Sequence, residues 1–198
     1  MTDRYDYTHA ERKERIIRIC VSIGIWVATV AAMIALAWVL VHFSIEKTTV
    51  VDASMEPTLE QNDRIIIDTL SYRIRSPKRN EVIVFRQGDG EHDFYNIKRV
   101  IGLPGETVRI AEGVVYINGK AIPEFAKVDT MILPGLANYE IALGEDEYFV
   151  LGDSRNNSED SRYATVGNVK RSEIVGRAWI RTNNFGFVNS LNKASEDD

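Results

Sequence analysis

One long apolar stretch, followed by many short alternating ones, is the main pattern along this chain. Residues 19–45 contain no Lys, Arg, Asp or Glu. As a helix that rises about 1.5 Å per residue, this stretch reaches roughly 40 Å, which exceeds the hydrocarbon core of a bilayer at about 30 Å. A cleaved export signal is the alternative, but its apolar core usually has only about 7 to 15 residues. The pattern therefore predicts one transmembrane helix over 19–45.

The charges that flank this stretch predict its orientation. Basic side chains are concentrated before it and only one follows closely: Arg12, Lys13, Arg15 and Arg18, then Lys47. Positive charge favours the cytoplasmic side of a membrane helix. We therefore expect a cytoplasmic segment at 1–18 and an extracytoplasmic domain at 46–188, in a single-pass protein of the cell membrane.

Beyond the apolar stretch, short runs of β-branched and aromatic residues alternate with Gly, Pro, Asn and Asp, which is typical of an all-β domain. The clearest hairpin signal is Asn118-Gly119, because both residues tolerate the positive φ of a tight turn. The polar, acidic tail at 189–198 is predicted to be flexible, and 169–173 is too short to assign. The predicted strands are 48–51, 64–68, 81–85, 94–101, 107–110, 114–117, 147–151 and 174–181.

Composition limits the functional classes. Cys20 is the only cysteine, so no intrachain disulfide can form. The formal net charge is −5, and no Lys/Arg-rich run follows the apolar stretch, which argues against nucleic acid as a partner. The acidic loop at 89–93 could suggest a metal site, but its interleaved glycines favour a solvated hairpin loop.

Ser54 and Lys98 are the candidate nucleophile and base. A serine hydroxyl needs a neighbouring base, usually His, but the chain has only three His residues and all lie in unsuitable positions. A lysine can act as base if burial lowers its pKa by roughly two to three units, and Ile97, Val100 and Ile101 surround Lys98 in sequence. Strand alternation places Asn96, Lys98 and Val100 on one face. A surface lysine and a turn serine remain the alternatives from the residues alone.

Three ordered segments resemble the conserved boxes of bacterial type I signal peptidases, in the short, single-span form typical of Gram-positive bacteria. They are residues 54–59 (SMEPTL), 98–105 (KRVIGLPG) and 152–162 (GDSRNNSEDSR). The resemblance implies a mostly antiparallel β catalytic domain with a small cap insertion, here at 104–146. It also implies a serine endopeptidase that uses no metal or cofactor and removes signal peptides from exported precursors at the lipid bilayer, near the secretion machinery.

The resemblance also implies roles for individual residues. Ser54 matches the nucleophile, Lys98 the general base, and Ser158 the serine that orients the lysine amine. Some family members have a hydroxyl two residues before the nucleophile, where this chain has Asp52, and Asn156 stands where many have Asp. The charged residues that match the bracing set are Asp153, Asp160, Arg99 and Arg162. The positions that match the peptide-binding groove are Val50, Asp52, Met55, Leu59, Asn96 and Ile97.

Two rival functions belong to other classes. A non-catalytic assembly factor on the same scaffold would lack the catalytic pair, whereas Ser54 and Lys98 are both present. A self-cleaving Ser/Lys repressor would carry a DNA-binding helical module before its catalytic part, and the apolar stretch occupies that place.

Overall fold

The computed structural model describes residues 3–42, 45–88 and 94–193, and these fall into two compact units, of which the first contains 3–42 and the second 45–88 and 94–193. The first unit is a single helix, α1 (Asp3–His42). Within it, Glu14–Trp38 is long and apolar enough to cross a membrane by length and composition, and none of its side chains is buried. An apolar helix is therefore present where one was predicted, but it begins well before residue 19, and Ile45, which the prediction included in the helix, is the first residue of a strand.

The second unit is mostly antiparallel β, as predicted. Its larger sheet has eight strands, seven of them in the order β1-β2-β11-β3-β4-β9-β10, with β12 paired to β11. The strands of this sheet are β1 (Ile45–Thr49), β2 (Arg64–Asp68), β3 (Val82–Gln87), β4 (Phe94–Gly102), β9 (Glu147–Leu151), β10 (Val169–Lys170), β11 (Ile174–Arg181) and β12 (Gly186–Phe187). A one-turn helix, α2 (Ser71–Ile74), joins β2 to β3.

A second, four-stranded sheet lies between β4 and β9 in the sequence. Its strand order is β7-β6-β5-β8, from β5 (Thr107–Ala111), β6 (Val114–Ile117), β7 (Lys120–Ala121) and β8 (Ile141–Ala142). The predicted hairpin is confirmed, because Asn118 and Gly119 join β6 to β7 with φ values of 50° and 75°. All four strands fall inside the 104–146 range expected for a cap insertion, although its role as a cap stays a prediction.

Alternation along β4 divides its side chains between different environments. Ile97 packs into one apolar cluster with Val84 and Ile67, whereas Val100 packs into another with Ile83 and others. Lys98 is paired directly with Ile83 across the β3–β4 ladder, so it lies on the side of Val100. Strand β4 therefore carries Lys98 between the polar Asn96, which is toward one end of this face, and the apolar Val100 toward the other.

Two predictions of local structure need correction. The first strand ends at Thr49, because Val50 instead exchanges backbone hydrogen bonds with Asn62 and Asp63 in a turn. The predicted flexible tail is wrong for residues 189–193, which make regular contacts with the rest of the β unit, whereas residues 194–198 lie outside the described residues. Asn189 accepts a hydrogen bond from the backbone of Val82 at 3.2 Å, and Lys193 bridges to Ala126.

The undecided segment 169–173 forms β10 and a 3₁₀ turn (Arg171–Glu173). Strands β2, β6, β9 and β11 have the predicted bounds. The acidic loop at 89–93 lies outside the described residues.

Candidate active site

Ser54 and Lys98 are in direct contact. Lys98 Nζ donates a hydrogen bond to Ser54 Oγ over 2.7 Å, and both residues are buried, at 1% and 4% exposure for Lys98 and Ser54. Ser54 lies in the turn after β1, where the backbone NH of Ser154 donates to its carbonyl oxygen at 2.9 Å. The structure thus joins two residues that are 44 positions apart in the chain.

The surroundings of Lys98 favour its neutral form in part. Burial lowers the pKa of Lys98 below the ordinary value for a lysine, because an ammonium ion loses its hydration there. Nearby carboxylates act in the opposite direction, in decreasing order of effect Asp52, Asp160 and Glu159. The net direction is downward, as a base near neutral pH requires.

Asp52 binds Ser54 through one carboxylate oxygen. Asp52 Oδ1 accepts a hydrogen bond from the Ser54 backbone NH at 3.0 Å and another from the Ser54 hydroxyl at 2.6 Å. Partial burial acts to raise the pKa of Asp52, but the hydrogen bonds from Ser54 and the charge of Lys98 outweigh it, so this pKa lies below its ordinary value. Asp52 is therefore an acceptor in this arrangement.

A buried ion pair braces β4 against the loop that follows β9. Arg99 Nε and Nη2 donate to the two carboxylate oxygens of Asp153 at 2.8 and 2.5 Å. The Thr58 hydroxyl donates to the same carboxylate at 2.5 Å. Thr58 belongs to the same segment as Ser54, and Arg99 is adjacent to Lys98. Their shared contacts with Asp153 therefore help to hold Ser54 and Lys98 in position relative to each other.

A second buried pair shapes the loop that follows β9. Arg162 Nε and Nη2 donate to the two oxygens of Asp160 at 2.8 and 2.9 Å, and the backbone NH of Gly152 donates to Asp160 at 3.1 Å. Gly152 leaves no room for a side chain. A Cβ there would stand 2.1 Å from Ser158 Oγ and 2.5 Å from the Ser54 carbonyl oxygen.

Ser158 does not make the predicted hydrogen bond to Lys98. Its hydroxyl is buried and has no hydrogen-bond partner among the described residues. Lys98 instead donates to Ser54, which is drawn toward Asp52. Leaving a buried hydroxyl unpaired costs about 1 to 3 kcal/mol, so a group that can pair with Ser158 in another state of the site would be favoured.

An open cleft of about 500 Å³ adjoins Ser54 and Lys98. Of the predicted groove residues, Asp52 and Asn96 line it, whereas the other four lie in the apolar core: Val50, Met55, Leu59 and Ile97. These four are on the inward side of their segments and do not line the cleft, so their contact with a peptide stays a prediction. Lining residues that the sequence did not indicate include Gln61, Gln87, Asn157 and Glu159.

Sequence reasoning also missed Thr58 and Arg155 as parts of the brace. The Arg155 guanidinium is buried; it pairs with Glu124 and donates to the carbonyl oxygen of Gly152 at 3.2 Å. Their presence inside two of the three segments that resemble the family could have indicated them. Asn156, which replaces an expected Asp, donates to the carbonyl of Thr130 at 3.0 Å and accepts from the backbone NH of Ile132 at the same distance.

Within the described ranges, no cluster of three or more His, Cys, Asp or Glu side chains could hold a metal ion.

We expect the Asp153→Ala variant to lose about 3 to 5 kcal/mol of unfolding free energy, because Arg99 would remain buried without a counter-charge. Urea denaturation of the full-length protein in detergent, followed by circular dichroism, measures the change. The matched control is Asp129→Ala, an exposed aspartate, for which we expect a change within about 0.5 kcal/mol. Equal midpoints for the two variants would contradict this assignment of the brace.

Comparison with known proteins identifies similar sequences over most of this chain. The family described as "Signal peptidase, peptidase S26" matches residues 23–182. Probable signal peptidase I-2 of Synechocystis sp. is 42% identical over 159 residues, which cover 77% of this chain and 70% of that protein. Signal peptidase I of Leptolyngbya laminosa is 37% identical, covering 83% and 80%, and signal peptidase I of Bacillus amyloliquefaciens is 34% identical, covering 76% and 83%. Because the family match spans most of the sequence and includes both Ser54 and Lys98, the chain belongs to the signal peptidase family, peptidase S26.

Proposed function

We propose that this protein is a signal peptidase I in which Ser54 is the nucleophile and Lys98 the general base. Signal peptidase I activity, that of a serine endopeptidase acting on the signal peptides of precursor proteins, follows from its family and relatives. The residue roles are the proposal. The observation that carries them is the 2.7 Å contact between a buried lysine amine and a buried serine hydroxyl.

The chemistry begins once Lys98 has lost its extra proton to water. Ser54 Oγ attacks the scissile carbonyl carbon, the hydroxyl proton passes to Lys98 Nζ, and the carbonyl π electrons move to oxygen. The Lys98 ammonium then protonates the leaving amine as the C–N bond breaks. Water then attacks the acyl carbon as it gives a proton to Lys98 Nζ. The Lys98 ammonium returns that proton to Ser54 Oγ as the ester bond breaks. Ser158, whose buried hydroxyl has no hydrogen-bond partner among the residues that the structure describes, is proposed to hold the Lys98 amine during these steps.

The tetrahedral intermediate needs hydrogen-bond donors at its oxyanion. The backbone NH of Ser54 is proposed as one donor. An extended peptide in the cleft beside Asn96 would present its carbonyl to this NH, and main-chain hydrogen bonds to a strand edge would add affinity without demanding a particular sequence. Small side chains before the cut, as in Ala-x-Ala, are the expected preference.

The apolar part of α1 supports a location for the chemistry at a membrane. We propose that Glu14–Trp38 crosses the cell membrane once, with the amino-terminal segment in the cytoplasm and the β unit outside. The excess of basic residues before the apolar stretch supports this orientation. The lipid bilayer is then a direct partner, and the secretion machinery that delivers precursors is expected nearby. The resemblance to the Gram-positive form stays a prediction.

The decisive experiment uses the purified full-length protein in lipid vesicles with a precursor carrying an Ala-x-Ala site. We expect one cut, directly after the second Ala, identified by mass spectrometry of both fragments. The matched control is the same precursor with Phe in place of the Ala before the cut, which we expect to remain intact. Failure to cleave the Ala-x-Ala precursor, or equal cleavage of both, would refute the proposed function.

A further inference from the structure

Asp52 occupies both hydrogen-bond donors of Ser54 at once. Its Oδ1 atom accepts from the Ser54 backbone NH at 3.0 Å and from the Ser54 hydroxyl at 2.6 Å. A carboxylate can only accept hydrogen bonds, so the hydroxyl proton points toward Asp52. The amine of Lys98, 2.7 Å from Ser54 Oγ, is consequently a donor to that oxygen.

This direction of hydrogen bonds is the reverse of what attack requires. During acyl transfer the Ser54 hydroxyl must donate to a neutral amine, and its backbone NH must donate to the substrate oxygen. Here the protons are ordered from Lys98 to Ser54 to Asp52. In this arrangement neither donor of Ser54 is available for the reaction, because the Asp52 carboxylate accepts hydrogen bonds from both.

The charge on Asp52 reinforces the same arrangement. Among the groups that act on Lys98, Asp52 has the largest effect in favour of the ammonium form, ahead of Asp160 and Glu159. Asp160 is already paired with Arg162, and the Glu159 carboxylate accepts from the Thr165 hydroxyl at 2.5 Å. Only Asp52 of these three carboxylates is hydrogen-bonded to Ser54 in the described part of the chain.

The Asp52 carboxylate can move away from Ser54. The residue is exposed at the rim of the cleft, although its carboxylate is partly desolvated where it meets Ser54, so turning into water returns the carboxylate to full hydration. Ser158 can take part in the same exchange, because its buried hydroxyl, close to the Ser54 backbone, has no hydrogen-bond partner within the part of the chain that the structure describes. When the Ser54 hydroxyl turns from Asp52 to the amine, the amine no longer donates to Ser54. A hydrogen bond between Lys98 Nζ and the Ser158 hydroxyl would then satisfy both groups.

We propose that Asp52 is a positioning residue that holds Ser54 at rest, and that the carbonyl oxygen of the scissile peptide bond displaces its carboxylate to assemble the reactive site. The inference rests on the roles proposed above for Ser54 and Lys98. On displacement, the Ser54 backbone NH donates its hydrogen bond to the substrate oxygen in place of Asp52. Lys98 releases one proton to water, and the Ser54 hydroxyl then donates to the neutral amine.

The test compares Asp52→Ala with Asp52→Asn in the full-length protein in lipid vesicles. We measure kcat/KM for the Ala-x-Ala precursor from pH 5 to 10. Both variants remove the charge that favours the Lys98 ammonium, so we expect the rising limb of the profile of kcat/KM against pH to move to lower pH by about one unit. At pH values below this limb, cleavage is then about tenfold faster than in the wild type. Asp52→Ala, which also removes the acceptor, has a plateau at or above that of the wild type.

The matched control is Glu159→Gln, which removes a carboxylate that acts on Lys98 without contacting Ser54. We expect a smaller shift of the limb in this variant. A limb that stays in place in Asp52→Ala, or a plateau at least about tenfold below the wild type, would overturn the proposal. The latter result would mean that Asp52 assists the reaction as a donor or base.

A readout without turnover separates this inference from the proposed function. In protein labelled with ¹³C at lysine Cε, the Lys98 signal is assigned by its loss in Lys98→Met and titrated by NMR. We expect its midpoint to fall by about one pH unit in Asp52→Ala, even if no precursor is cleaved. An unchanged midpoint would overturn the role of Asp52 whether or not the enzyme is active.

Discussion

The Ser54→Ala variant is expected to show no detectable precursor cleavage. Removing the attacking oxygen eliminates the acyl-enzyme route, and loss of a serine nucleophile in other enzymes lowers kcat by about 10⁶-fold. The methyl side chain fits the space of the serine, so the fold should persist. Cleavage of an Ala-x-Ala precursor by full-length protein in lipid vesicles measures the effect, with circular dichroism as the check on folding.

The control for this variant is Ser76→Ala. Ser76 is exposed and lies outside the cleft, so its substitution should leave kcat/KM within about twofold of the wild type, consistent with the small effect of surface changes. If Ser54→Ala retains more than about one part in 10³ of wild-type activity, the residual rate is too high for a lost nucleophile, and Ser54 does not form the acyl-enzyme.

The Lys98→Arg variant is expected to be inactive although it keeps the positive charge. A guanidinium stays protonated at any working pH and cannot accept the Ser54 proton. Loss of a general base costs about 10² to 10⁴ in rate. Because the longer side chain has to fit a buried position, Lys98→Met is tested beside it, which preserves the unbranched shape and removes the amine. We expect both variants to fall to the same low rate.

The matched control is Lys120→Arg, the same exchange at an exposed residue in β7. It should retain wild-type kcat/KM. If Lys98→Arg keeps more than about one tenth of wild-type activity, a neutral lysine amine is not the base, since the loss would be far below that expected for general-base removal. If Lys98→Met alone is inactive, the charge rather than proton transfer is what the site requires.

Local patterns in the sequence predicted most of the strands and the hairpin. At Asn118-Gly119 the turn chemistry depends on two adjacent residues, so it could be read without knowing the fold. At residues 189–193 the same kind of reasoning failed. The segment is polar, yet Asn189 binds the backbone of Val82 and Asn192 donates to the carbonyl of Lys127 at 2.9 Å, which are contacts with distant parts of the chain.

Contact of the predicted groove residues with a peptide stays a prediction, but their place in the apolar core could not be read from the sequence. Val50, Met55 and Leu59 match groove positions of the family, but here they belong to the same apolar cluster as Ile65 and Ile67. Alternation indicates which residues share a face. It does not indicate whether that face is open to solvent or covered by another segment.

Two features were determined by the sequence itself: an uncharged stretch long enough to cross a bilayer and three motifs that carry Ser54, Lys98 and the bracing residues. Only the tertiary structure decided the state of the site. It brings the Lys98 amine within 2.7 Å of the Ser54 hydroxyl, buries Lys98, and places the Asp52 carboxylate where it accepts a hydrogen bond from Ser54. Desolvation and hydrogen bonding depend on every group that surrounds an atom, and here those groups come from segments far apart along the chain.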